Sequence, residues 1–127
     1  MRRATGFLFG RRKICAKLAL SGNRMEWYAS YVERNAADGN EGWLVSLYSF
    51  SESWTSWERH PAGDEAVICT AGEMTLIQEL PDGTQKVELR AGDYAINPRG
   101  VWHTADVTSQ ATALFITAGR GTEHRAR

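Results

Sequence analysis

Three histidines occur in the chain, His60, His103 and His124, and two of them sit among residues that could do chemistry. His60 lies in the run Glu58-Arg59-His60-Pro61-Ala62-Gly63-Asp64-Glu65. On an extended strand side chains alternate faces, so Glu58 and His60 share a face with Trp54 and Ser56, while Thr55, Trp57 and Arg59 point away. After the Pro61–Gly63 turn, Glu65 can return to the same interior, followed by Val67 and Cys69. Two carboxylates and an imidazole then converge on one concave face. Burying them unpaired is costly, and a metal ion is one way to meet that cost. His103 follows the turn Pro98-Arg99-Gly100 and shares its face with Val101, Ala105 and Val107, as a third ligand delivered from another strand would. Trp102 is expected on the opposite face.

The elements that must position these residues read as strands. Trp43–Phe50 is rich in Trp, Leu, Val, Tyr and Phe, which suit a half-buried pleated surface. Further short strands are expected at Met25–Arg34, Trp54–His60, Ala66–Thr70, Met74–Leu80, Gln85–Leu89, Tyr94–Asn97, Val101–Val107 and Ala111–Ala118. Turn residues separate them, among them Asp38-Gly39-Asn40-Glu41-Gly42, Ala71-Gly72, Pro81-Asp82-Gly83 and Ala91-Gly92-Asp93. Evenly spaced short strands predict an all-β sandwich or barrel. Only residues 12–20 (RKICAKLAL), with Ile14, Cys15 and Leu18 on one helical face, suggest a short helix or turn.

The spacing of the candidate ligands resembles the two motifs of the cupin superfamily. The first motif runs His, one residue, His, three or four residues, Glu, six residues, Gly. Here His60, Glu65 and Gly72 match, and Glu58 stands in the place of the first His. The second runs Gly, five residues, Pro, one residue, Gly, two residues, His, and Gly92, Pro98, Gly100 and His103 match it throughout. Glu52 stands where the first motif often opens with Gly, and Val107 where the second often closes with Asn. The stretch between the motifs has room for one hairpin.

The resemblance implies an all-β, antiparallel jelly-roll barrel with at most one or two short helices near the N-terminus. One domain over 1–127 is expected, with the motif-bearing core about 43–118. By position the metal ligands are His60, Glu65 and His103, with Glu58 either a fourth ligand or a pocket carboxylate acting as general base. Trp54, Ser56 and Cys69 would line the pocket. A mixed imidazole and carboxylate site suits divalent Fe, Mn, Ni or Zn. Neutral imidazoles are needed for ligation, so affinity should fall below about pH 6.5, the unperturbed histidine value. His124, in the polar stretch Gly121–Arg127, reads as a solvated tail residue.

The implied function is metal-dependent action on a small molecule, of oxygenase or isomerase/lyase type. The alternative is a non-catalytic binding or sensing barrel. Composition narrows the rest. The 127 residues carry 15 basic and 15 acidic side chains, and this balance argues against nucleic acid as a partner. No apolar run approaches the length of a membrane helix. Arg11–Arg12 is not followed by the apolar segment of an export signal, because Lys13 and Lys17 interrupt it, so no targeting segment and a cytoplasmic location are expected. Cys15 and Cys69 are too isolated for a disulfide framework. The many aromatics of the early strands exceed what one small core absorbs, which points to a homodimer.

Overall fold

The computed structural model describes residues 4–9, 15–19 and 42–127. Ten antiparallel strands are found among the described residues and no helix. They are β1 (Ala4–Phe9), β2 (Cys15–Ala19), β3 (Trp43–Phe50), β4 (Ser56–Arg59), β5 (Glu65–Leu80), β6 (Gly83–Arg90), β7 (Tyr94–Asn97), β8 (Trp102–Asp106), β9 (Ala111–Thr117) and β10 (Glu123–Ala126). The strand expected over 25–34 and the turn residues 38–41 lie outside the described residues.

The expected helix over 12–20 is corrected: its described part, Cys15–Ala19, is β2, paired with β1 from Thr5↔Ala19 to Phe9↔Cys15. A helix this short is unstable by itself in water, whereas pairing with β1 satisfies the backbone groups on one edge of the segment.

The sheet curls because one strand belongs to two layers. The segments Ala66–Thr70 and Met74–Leu80, read as separate strands from the sequence, are one sixteen-residue strand, β5. Its first half pairs with β7 and β9, its second half with β6 and β8. Between the halves the register shifts at Cys69/Ala71, and Gly72 takes φ +68°. A β-carbon at Gly72 would lie 2.0 Å from the Gln110 carbonyl oxygen, so only glycine lets the bend press against that backbone. The full order is β10-β4-β8-β5-β9-β3-β1-β2, with β6 and β7 also on β5.

The inner faces follow the alternation of the sequence. Leu44, Ser46, Tyr48 and Phe50 of β3 are buried, as are Ala111, Ala113, Phe115 and Thr117 of β9. Tyr48, Phe50, Trp54 and Phe115 form an aromatic group with ring centroids 5.5–6.2 Å apart for each contacting pair. With Val67, Met74, Leu76, Leu89 and Val107 it fills one end of the barrel. The candidate ligands occupy the other end.

Candidate metal centre

Register alone brings the polar residues together. Directly opposed residues in an antiparallel sheet point to the same face. Across one layer His124 of β10 opposes Glu58 of β4, Glu58 opposes His103 of β8, and His103 opposes Gln78 of β5. Across the other layer Thr117 of β9 opposes Glu65 of β5, and Glu65 opposes Asn97 of β7. His60 stands one residue beyond β4. The turn that precedes His103 is pinned to the loop that follows His60. Gly100 N–H donates to the His60 carbonyl (3.1 Å), and Arg99 N–H donates to Asp64 Oδ1 (2.8 Å). The two sequence motifs are thus physically joined.

Glu58, His60, Glu65 and His103 each offer one ligand atom, and these atoms lie within 4.8 Å of one another. His60 Nε2 is 2.9 Å from Glu65 Oε2 and 3.4 Å from Glu58 Oε1. His103 Nε2 is 3.3 Å from Glu65 Oε1 and 3.6 Å from Glu58 Oε1. All four side chains are at most 1% exposed. Ligands about 2.0–2.2 Å from one first-row ion, at tetrahedral or cis-octahedral angles, stand roughly 2.8–3.6 Å from each other. The four imidazole–carboxylate separations fall in that span.

The outer atoms of the ligands fix their inner ones. Thr122 Oγ1 donates its hydrogen to the Gly119 carbonyl (2.8 Å), so toward His60 Nδ1 (2.9 Å) it accepts, and the hydrogen of the neutral ring sits on Nδ1. His103 Nδ1 donates to the Val101 carbonyl (3.2 Å). In both neutral rings Nε2 is therefore a bare lone pair facing carboxylates. Each Nε2 stands close to the carboxylates, with Glu65 2.9 Å from His60, without a hydrogen bond of regular geometry. Glu65 accepts from Asn97 Nδ2 on Oε1 (3.0 Å) and from Thr117 Oγ1 on Oε2 (2.6 Å). Asn97 Oδ1 in turn accepts from Gln78 Nε2 (2.8 Å).

Lone pairs and carboxylates cannot face each other in a dry core without positive charge between them. Without a metal, protons supply it. Burial by itself pushes both imidazoles down, but the facing carboxylates outweigh it. His60 rises to about 10, with the Glu65 charge the leading upward cause, and His103 rises to about 9 through Glu58 and Glu65. Burial pushes Glu65 up, and the two imidazoles override it, holding the carboxyl well below its usual range. Two carboxylates balance two imidazolium rings; two carboxylates with two neutral rings balance one divalent cation. The donor set therefore fits a divalent ion, which could be held here.

Of the expected pocket residues, Trp54 is buried with its ring 6.2 Å from that of His103. Ser56 is half-buried at the start of β4, opposite Ala126. Cys69 is buried but is not part of the cluster: Sγ donates toward the Ala71 and Gly72 carbonyls, and burial pushes the thiol pKa up, away from a ligating thiolate. Trp102 faces outward, under the Arg59 and Arg125 guanidinium groups. The reading of His124 as a solvated tail residue is corrected. It lies on β10 with Nε2 3.0 Å from Glu58 Oε2 and its side chain 13% exposed.

Gln78, Asn97, Thr117 and Thr122 also belong to the network and were not singled out in the sequence. Gln78 and Thr117 carried a readable sign: each is a polar residue at an inward position of an otherwise apolar strand, after Met74 and Leu76 and after Ala113 and Phe115.

The Cupin domain family model matches residues 50–119, more than half of the chain, and spans all four residues of the cluster. This chain belongs to the cupin family. The solved structures that resemble this cupin include a cupin superfamily protein of Desulfitobacterium hafniense DCB-2. It is 25% identical with a TM-score of 0.51, over 59% of this chain and 65% of that one. The chain thus covers less than two thirds of that protein's length. Hydroxypropylphosphonic acid epoxidase of S. wedmorenis, in complex with fosfomycin, aligns at 13% identity and TM-score 0.51, over 59% of this cupin and 43% of the epoxidase. Fe(II)-HppE with an alternative substrate aligns at 13% and 0.51, over 59% and 42%. At these identities the last two share the fold. No curated protein sequence matches significantly. Among the described residues no helix is long and apolar enough to cross a membrane.

Proposed function

We propose that this cupin binds one divalent metal ion through Glu58, His60, Glu65 and His103 and acts with it on a small molecule, as a metal-dependent enzyme of oxygenase or isomerase/lyase type. The observation that carries the reading is the convergence of two buried imidazole Nε2 atoms, left to the centre by the hydrogen bonds on Nδ1, on two buried carboxylates. The Fe(II) form of an epoxidase with the same fold is consistent with it. A divalent cation there would supply Lewis-acid polarisation of a bound oxygen. The chain's own contribution is to hold the two rings in the ligating tautomer, to orient Glu65 through Asn97 and Thr117, and to exclude bulk water.

Closure of the site favours a second reading. The ligands are buried, and the aromatic group fills the barrel beside them. A cation so enclosed can serve a non-catalytic binding module, or simply tie β4, β5 and β8 together. Metal analysis of protein purified without an affinity tag tests the centre: about one divalent ion per chain is expected, and protein that also refuses added divalent ions refutes it. Azide added to the Co(II) form separates the two readings. A changed visible spectrum indicates an open coordination position for substrate, and an unchanged one favours the enclosed, non-catalytic ion.

A further inference from the structure

Of the outward atoms on the candidate ligands, Glu58 Oε2 and His60 Nδ1 are both met by one short segment. Thr122 meets His60 and His124 meets Glu58. The His124↔Glu58 register of β10 on β4 places the two side chains on the same inner face. A carboxylate only accepts, so His124 Nε2 carries a hydrogen and donates it to Oε2 at 3.0 Å. Oε1 is then the atom left to the focus, 3.4 Å from His60 Nε2 and 3.6 Å from His103 Nε2. His124 itself is not among the converging ligands.

We infer that His124 is a positioning residue of the cation centre: by holding Oε2 it restricts Glu58 to ligation through Oε1 alone, and it makes cation binding and the docking of β10 reinforce each other. The inference rests on the proposed metal centre. A carboxylate can ligate through one oxygen or both. A hydrogen bond to its charged oxygen is among the stronger ones, and it penalises rotation into the two-oxygen mode. The docking half follows from where the inward bond of β10 falls, on a ligand of the proposed centre. The strand has four residues, and among the described residues it pairs only with β4. Its outward links are the exposed ion pairs Arg59–Glu123 and Arg125–Glu79 and the stacking of Arg125 over Trp57 and Trp102, and just beyond it Arg127 ties the end of the strand to Thr55, Trp54, Ala105 and Asp106, leaving His124 as the inward side chain that links the strand to the ligand cluster. Exposed pairs of this kind contribute little. If the inward bond helps the ion, the ion must help the strand by the same factor.

The test uses the full chain with Co(II) as probe. His124→Phe keeps a ring and removes the donor; His124→Gln keeps a donor; His124→Asn keeps polarity but is too short to reach. Outer partners of ligands are typically worth 10–100-fold in affinity. His124→Phe should weaken Co(II) binding by about that factor in chelator competition. It should also alter the visible Co(II) spectrum, which reports coordination number, while His124→Gln restores both. In wild type, Co(II) should slow amide hydrogen exchange over residues 123–127, and His124→Phe should lose that slowing. If metal-free melting shows that the Phe variant is unfolded, His124→Asn replaces it. Variants with wild-type affinity and spectrum would overturn this inference alone. A wild-type chain that takes up no cobalt would overturn the metal centre and this inference with it.

Discussion

Metal uptake should release protons, and the structure sets how many. In the metal-free protein His60 is raised to about 10 and His103 to about 9. Their Nδ1 atoms already donate to Thr122 and Val101, so ligation must use Nε2, and Nε2 must lose its proton. At pH 7.5 both rings are protonated, and binding one divalent ion should expel about two protons. Each proton is worth about 1.4 kcal/mol per pH unit, so apparent affinity should rise about 100-fold per unit below pH 9. The rise should drop to about tenfold per unit between 9 and 10 and flatten above. Unperturbed imidazoles would instead release almost nothing at pH 7.5, with affinity falling only below about 6.5.

Stability of the metal-free protein should run the other way. A histidine raised in the folded state stabilises the fold fully below its unfolded value, about 6.5, and that contribution is lost as pH rises through its folded value. The metal-free melting temperature should therefore decline between pH 7 and 10, while metal-loaded protein gains from the same rise in pH. Glu65, being lowered, contributes above its usual value and loses that contribution only as pH falls into strong acid. Calorimetric titration with Mn(II) in two buffers of different ionisation enthalpy counts the protons. Zero protons released at pH 7.5, with flat affinity from 7 to 9, would refute the charge-exchange reasoning.

Four further outcomes are expected. Glu58→Gln should lower metal retention if Glu58 ligates; if it acts only as a base, metal should stay bound and turnover should vanish, and elemental analysis beside an activity screen separates the two. Asn97→Ala removes the donor to Glu65 Oε1 and leaves Gln78 facing a void, so metal-free stability at pH 7 should drop by about 1–3 kcal/mol in urea unfolding; no change would mean the network is idle. Gly72→Ala should abolish soluble folded protein or cost more than about 3 kcal/mol, because its β-carbon meets backbone; Gly83→Ala, with open space around it, should cost only backbone strain. The chain should sediment as a homodimer, since Trp43, Tyr94 and Ile96 leave apolar surface exposed at 45%, 69% and 44%; a monomer at micromolar concentration would contradict this.

Much of the fold was legible because the inner faces of β3 and β9 alternate strictly and turn residues bound the other strands. Trp43–Phe50 and Tyr94–Asn97 begin and end where the sequence placed them. What was misread has physical causes. The join of two segments into β5 depends on a bend that Gly72 permits through contact with Gln110, a residue distant in sequence. β2 is set by pairing with β1 rather than by its own periodicity. β10 reads Glu-His-Arg-Ala, with no apolar face, because its inner side meets a carboxylate rather than the hydrophobic core. The four ligand candidates were found because turn and ligand residues share fixed spacings. Their partners Gln78, Asn97, Thr117, Thr122 and His124 come from four other places in the chain, and only the register assembles them.

The assembled network narrows what the centre is for. Replacing a buried charged cluster with well-packed apolar residues is often neutral or stabilising. A barrel that needed only to fold would therefore gain little from Glu58, His60, Glu65 and His103 at its core. Every outer atom described here has a partner within the protein: Thr122 and Val101 on the rings, Asn97 and Thr117 on Glu65, His124 on Glu58. The capacity left over is confined to the two imidazole Nε2 atoms and the carboxylate oxygens that face them, over separations of 2.9–3.6 Å. That space fits an atom-sized guest rather than a molecule. A substrate must therefore meet the cation at a coordination position that the surrounding walls yield, and those walls are unequal. On one side stand Phe50, Trp54 and Phe115, packed in the core; on the other stands a four-residue strand held by its ladder with β4, by surface pairs, by Arg127 at its end and by His124.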